Sequence, residues 1–184
     1  MDPTDVPSPE LLRQLLRYEP ETGKLFWRKR SADLFQNKKI CNTWNSKFAN
    51  APAFTSKILG GYLIGSIHNK KYYAHRVIWA IQTGAWPKNH IDHKDGNRAN
   101  NKFENIRDVT RGQNNSNKFS QKNSSSKYLG VSWRKRSKKW RVNVTKNGTT
   151  KYIGLFSDEI EAAKAYDHAA AQVHGEFAKL NFAK

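Results

Sequence analysis

Between Ile91 and Arg107 the chain reads IDHKDGNRANNKFENIR, and its residue types are those of hydrolytic phosphorus chemistry. Phosphodiester hydrolysis needs a hard cation on oxygen ligands to neutralise developing charge, and a base to take a proton from water. Asp92 and an asparagine carbonyl supply such oxygens, and the adjacent His93 titrates in the range a general base needs. A turn follows at Gly96-Asn97, then Asn105 ahead of an apolar residue and Arg107, then an amide-rich cluster at Arg111-Gly112-Gln113-Asn114-Asn115. The stretch is a candidate one-metal site on a polar hairpin. The same composition also suits an ordinary surface loop.

Taken in order, Asp-His, Gly-Asn, Asn-apolar-Arg and Gln-Asn resemble the HNH, or ββα-metal, endonuclease motif in the form typical of phage homing endonucleases. The resemblance implies that Asp92 is a metal ligand and His93 the general base. It makes Asn105 the central asparagine, which pins the hairpin and orients the histidine. Asn114 becomes the second metal ligand, with Asn117 as the alternative. One Mg²⁺ or Mn²⁺ per site is implied, as are 5′-phosphate and 3′-hydroxyl products. The single copy of the set addresses one phosphate, so a monomer is expected to nick. The same resemblance implies action in the cytoplasm of a phage-infected bacterial host.

Composition agrees with a polyanionic substrate. The chain of 184 residues carries 33 Lys+Arg against 15 Asp+Glu, a net charge of +18. Such a field attracts nucleic acid, and phosphate neutralisation provides most non-specific DNA affinity. Double-stranded DNA is the expected partner, with no obligate protein partner evident. Cys41 is the single cysteine, which excludes disulfides within the chain and four-cysteine zinc sites. No apolar run approaches membrane-spanning length and the acidic start is no signal peptide, so a soluble, intracellular protein is expected.

Several elements must position the polar hairpin. Ser8 and Pro9 suit the start of a short helix with an apolar stripe at Leu11, Leu12, Leu15 and Leu16. A hairpin turning at Thr22-Gly23 is expected next, with Leu25 and Trp27 on one face. Residues 31–56 are poor in signals and read as loop or weak strand. Two short strands over 57–73 lead to a helix over 74–83 that stops at Gly84. The catalytic hairpin covers about 91–109, and a helix from about Arg111 to Lys118 closes the unit. The stretch SQKNSSSK contains no apolar residue and reads as a linker, or as a surface loop.

Beyond the linker, apolar and polar residues alternate. Val131 and Trp133, then Trp140, Val142 and Val144, share one parity, and Ile153 and Leu155 are expected inward on a third strand. Ser157 is the expected cap of a helix bearing Ala162, Ala163, Tyr166, Ala169, Ala170 and Val173. The expected fold class is α+β: a ββα-metal region, then a small three-stranded antiparallel sheet packed on one helix. The outward parity carries Arg134, Lys139, Arg141 and Asn143, and no Asp or Glu occurs between Asp108 and Asp158. A face of basic and amide groups alone suits the major groove, where arginine and lysine pair with guanine and asparagine with adenine.

The runs YLGVSWRKRSKKWRVNV and KYIGLFSDEIEAAKAYDHAAAQVHGEFAKLNF resemble the Apetala-two/ethylene-response-factor domain of plant transcription factors. The resemblance implies DNA reading by the outer sheet face, with Arg134, Arg136, Lys139, Arg141 and Tyr152 at or near contact positions. Leu129 and Ser132 stand where plant members place arginines, and Ser137-Lys138 replaces a Pro-Trp-Gly element, so the plant recognition sequence does not follow. The expected domains are 1–119 for the nuclease, with its ββα part at about 88–119, a linker at 120–126, and 127–184 for the DNA reader.

The function expected is that of a metal-dependent DNA endonuclease. The rival is a non-catalytic, sequence-specific DNA-binding regulator; an RNA-directed module is weaker, because the carboxy-terminal sheet resembles a duplex-DNA reader. His75 is expected to pack or to contact phosphate rather than catalyse. Asp95, Asn97, Asn100 and Asn101 are read as turn residues.

Overall fold

The computed structural model describes residues 6–110, 124–146 and 148–182. Asn114, Asn117, the expected helix that carries them, residues 120–123 of the expected linker and Asn147 lie outside these. The chain divides between Asp108 and Val109 into two compact units.

The first unit opens with α1 (Pro9–Leu15), where Ser8 Oγ accepts from the Leu11 amide at 3.1 Å and Pro9 occupies the first turn. Strands β1 (Leu16–Glu19) and β2 (Lys24–Trp27) pair antiparallel, with Tyr18 opposite Leu25. A helix then stands where weak signals suggested loop or strand: α2 (Lys38–Phe48). Its apolar pattern is thin and only Cys41 is buried, so tertiary contacts decide. Asn45 accepts from the Arg30 amide and donates to the Arg30 carbonyl, while the Arg30 guanidinium lies 3.9 Å from the Trp44 ring centre.

Short strands β3 (Pro52–Ala53) and β4 (Ser56–Lys57) follow. Strand β3 joins the first sheet, and β4 pairs with β5 (Leu63–Ile67), which pairs with β6 (Lys70–Tyr73). Helix α3 (Ala74–Thr83) runs from there to Gly84, as its periodicity predicts. Leu12, Val77, Ile78 and Ala80 are fully buried and join Leu15, Leu16, Leu25 and Ile91 in one core. Burying a side chain such as Ile78 contributes about 1.5–3 kcal/mol. Arg13 of α1 donates to the Ile81 carbonyl from Nε and Nη2 at 2.9 and 2.7 Å, satisfying an end group that α3 cannot pair itself. Strands β7 (His90–His93) and β8 (Ile106–Val109) form the last sheet of the hairpin region.

The second unit is a three-stranded antiparallel sheet, β9 (Val131–Arg134), β10 (Lys139–Lys146) and β11 (Thr149–Phe156), with β10 central. Helix α4 (Glu159–His174) packs on it, so the α+β class holds in both units. Val131, Val142 and Val144 meet Ala162, Ala163, Tyr166 and Ala170 in a second core. The alanines bring the helix close to the sheet. Gly130 carries the closest approach, since a Cβ there would lie 2.1 Å from the Tyr166 ring.

Three expectations shift. Asp158, not Ser157, caps α4, accepting from the Glu161 amide. Trp133 is 39% exposed instead of inward, set edge-on to Trp140 at 4.9 Å. Ser126, assigned to the linker, is buried: its hydroxyl donates to Glu159 and accepts from the Tyr128 amide. The unit therefore begins before Lys127.

Candidate functional site

Strand β7 delivers Asp92 and His93 side by side, and both are buried. The chain turns at once, with the Gly96 amide donating to the His93 carbonyl at 2.9 Å. It returns through a short 3-10 turn, Phe103–Asn105, into β8. Asp108 braces the other end of β7 by accepting from the Lys88 and Asn89 amides at 2.9 and 3.1 Å.

Asn105 ties the polar hairpin together. Its Oδ1 accepts from the Asp95 amide, and its Nδ2 donates to Asp95 Oδ1 at 3.0 Å and to the Asn100 carbonyl at 2.8 Å. Its backbone carbonyl accepts from the Lys94 amide. Asp95 also accepts from the Asn97 amide and from Asn100 Nδ2. Burial pushes the Asp95 carboxyl up, but these hydrogen bonds outweigh it and hold the group below its ordinary value. Asp95, Asn97 and Asn100 thus do turn work.

Asn101 does something else. It is 1% exposed, and its Oδ1 lies 2.9 Å from His93 Nε2. The ring partner found here is therefore Asn101, whereas the motif alone pointed to Asn105 for orienting the histidine. Burial pushes His93 below its ordinary value, partly offset by the Asn101 contact and by the Asp95 and Asp92 carboxylates. A neutral imidazole at neutral pH is the form that accepts a proton.

Asp92 is held by Arg107, the arginine of the Asn-apolar-Arg element, whose Nη2 lies 2.9 Å from Asp92 Oδ2. Among the described residues no cluster of three or more His, Cys, Asp or Glu could hold a metal ion. A thiolate or multi-histidine cage is thus absent from them. One oriented, buried carboxylate is a sparse, hard-oxygen donor. It fits Mg²⁺ or Mn²⁺ better than a softer ion, since Mg²⁺ keeps waters and shares substrate oxygens. Asn114, expected as the second ligand, lies outside the described residues.

Aromatic rings wall the histidine. The His75 ring, near the start of α3, sits edge-on to His93 with centres 5.2 Å apart and is stacked on Tyr73 at 5.3 Å. Tyr62 contacts both histidines, and the Arg98 guanidinium lies 4.9 Å from the Tyr62 ring centre. His75 Nδ1 is buried without a hydrogen-bond partner, and burial pushes the group down to about 3. A neutral, packed His75 agrees with the structural role expected of it. His90 is exposed at the start of β7.

The second unit presents the other candidate surface. On β10, Val142 and Val144 point to α4, so Arg141 and Asn143 lie on the opposite face. Asn143 stands opposite Tyr152, past an irregularity between Val142 and Asn143. Arg141 Nε donates to Asn143 Oδ1 at 3.3 Å, and its guanidinium lies 5.5 Å from the Tyr152 ring centre. Arg134 pairs with Lys139 across β9 and β10, and Arg136 is exposed in the turn between them. Arg134, Lys139, Arg141, Asn143 and Tyr152 are thus gathered on these strands. The conspicuous Asp167 and Asn181 of the closing motif are structural: Asp167 accepts from the Asn181 and Phe182 amides, and Asn181 Oδ1 from the Leu129 amide.

Known proteins match both units. The HNH endonuclease family model matches residues 72–116, and the AP2 domain model matches residues 126–176. Protein 3.8 of Escherichia phage T7 is 31% identical over 107 residues, covering 58% of this chain and 88% of that protein. An uncharacterized HNH endonuclease of Acanthamoeba polyphaga mimivirus is 38% identical over 114 residues, covering 60% of this chain and 58% of that protein. An AP2-like ethylene-responsive transcription factor of Arabidopsis thaliana is 38% identical over 58 residues, covering 32% of this chain and 12% of that protein. The chain belongs to one family with Protein 3.8 of phage T7, and it carries an HNH endonuclease domain followed by an AP2 domain.

Proposed function

We propose that the protein is a metal-dependent DNA endonuclease of the homing type that nicks one strand as a monomer and finds its site with the carboxy-terminal sheet. The observation that carries this reading is the buried Asp92-His93 pair, in which Arg107 fixes the carboxylate and Asn101 meets the ring. His93 accepts a proton from the water that attacks phosphorus in line with the departing 3′ oxygen. The phosphorus–O3′ bond breaks, the 3′ oxygen takes up a proton from solvent, and the ends are 5′-phosphate and 3′-hydroxyl. Asp92 and Asn114 would hold one Mg²⁺ or Mn²⁺, which would supply charge neutralisation at the scissile phosphate. Asn105 keeps the hairpin that carries these groups in shape. Arg134, Arg136, Lys139, Arg141, Asn143 and Tyr152 contact duplex DNA, and residues 120–123 belong to the connection between the two domains.

A chain with one such set addresses one phosphate, which supports nicking over a concerted double-strand cut. The test is incubation of the purified protein with supercoiled plasmid. Open circles forming with Mg²⁺ and not with EDTA are expected. Tight DNA binding with no cleavage at any Mg²⁺ or Mn²⁺ concentration would favour the non-catalytic regulator.

A further inference from the structure

We propose that the amino-terminal hairpin, β1–β2, is a positioning element for His93, acting through Asn101. The inference rests on His93 being the base of the proposed nuclease, and it concerns residues outside the 72–116 span of the HNH match.

The chain of contacts begins at the ring. Asn101 Oδ1, 2.9 Å from His93 Nε2, can only accept, so the Nε2 hydrogen points at it and the lone pair of the neutral ring falls on Nδ1. A base needs that lone pair on a defined nitrogen. Whatever holds Asn101 therefore bears on which nitrogen that is.

Asn101 is held from the far end of the unit. The Tyr18 hydroxyl, on β1, donates to the Asn101 carbonyl at 3.3 Å and accepts from the Phe103 amide at 2.8 Å, bridging the backbone on both sides of Lys102. Gly23, in the turn between β1 and β2, presses on the same peptide. A Cβ there would lie 2.5 Å from Lys102 N and 2.7 Å from the Asn101 carbonyl carbon. Its φ of +69° is a conformation that other residues rarely adopt. One hairpin thus grips the Asn101–Lys102 peptide by hydrogen bond and by steric contact. The asparagine amide has its other atom, Nδ2, buried without a partner. Beyond packing and the His93 contact, the backbone grip therefore sets where Oδ1 points.

The experiment uses the full chain, labelled with ¹⁵N-histidine, and Tyr18→Phe, which deletes the hydroxyl and keeps the ring. Wild type should show His93 protonated at Nε2. Tyr18→Phe should show a mixture with the Nδ1-protonated form, and its kcat should fall about tenfold to a hundredfold while KM stays unchanged. A fold defect alone would not move the tautomer in a chain that retains the wild-type thermal midpoint. Gly23→Ala should shift the tautomer in the same direction. His93 protonated at Nδ1 in the wild type would overturn the proposal whatever the variants do. So would Tyr18→Phe and Gly23→Ala that both keep the wild-type tautomer and kcat. If wild type fails to cut DNA, the nuclease reading fails, and the tautomer still decides whether the hairpin positions the ring.

Discussion

Arg107 grips one oxygen of Asp92: Nε donates to Oδ2 at 3.0 Å and Nη2 lies 2.9 Å from the same atom. The pair is largely buried, so the carboxylate is aimed before any cation arrives. Groups that orient a metal ligand are typically worth 10- to 100-fold in metal affinity. Arg107→Leu should therefore raise the Mg²⁺ concentration for half-maximal cleavage by roughly that factor. A Mg²⁺ titration of plasmid nicking checks it; an unchanged midpoint would show that Arg107 serves only the fold.

The proposed metal site is tested at Asp92 and Asn114. Asp92→Ala and Asn114→Ala should each abolish or strongly weaken Mg²⁺ activation while leaving DNA binding intact, since phosphate contacts elsewhere are untouched. Asn117→Ala serves as the comparison. If Asn117→Ala loses Mg²⁺ activation and Asn114→Ala does not, Asn117 is the helical ligand.

His75 gives the fold an acid-sensitive point. Its ordinary value is 6.5, and burial pushes it down to about 3 in the folded protein. Between these pH values the unfolded chain binds more protons, so stability rises with pH across the window and is lost as pH falls through it. Each unit of difference corresponds to about 1.4 kcal/mol. Chemical denaturation between pH 7 and pH 4 should show this loss, and His75→Phe should flatten it. An equal acid slope in the variant would place the loss elsewhere.

The basic face of the AP2 domain should carry affinity. Arg141 spans Asn143 and Tyr152, so Arg141→Ala removes a cation and loosens two neighbours. DNA affinity should fall by about 1–3 kcal/mol, with relaxed discrimination between sites. Lys139→Ala should weaken binding more uniformly and reduce the salt slope by about one. Equilibrium binding at several salt concentrations separates the two.

What could be read from the chain divides along a physical line. That Asp92, His93 and Asn105 share one polar hairpin was legible, because the strand and turn signals there are local. Helix α3 was legible too, from its apolar period and Gly84. Helix α2 was not, because its lysines and asparagines hide a stripe of Cys41, Trp44 and Phe48 that matters only once Trp27 and Arg30 are beside it. Asn101 read as one turn asparagine among several, and only the folded hairpin singles it out against His93. Tyr18 carries no local signal, since its partner lies 83 residues away. The cap of α4 moved from Ser157 to Asp158 because both residue types cap helices and only geometry chooses.

His93 as the base is tested by single-turnover cleavage of supercoiled plasmid by wild type and His93→Ala, at saturating protein and Mg²⁺, with binding measured in parallel. Wild type should give open circles, His93→Ala should nick at least about a hundredfold more slowly, and both should bind DNA equally. Nicking by His93→Ala at the wild-type rate would contradict that role.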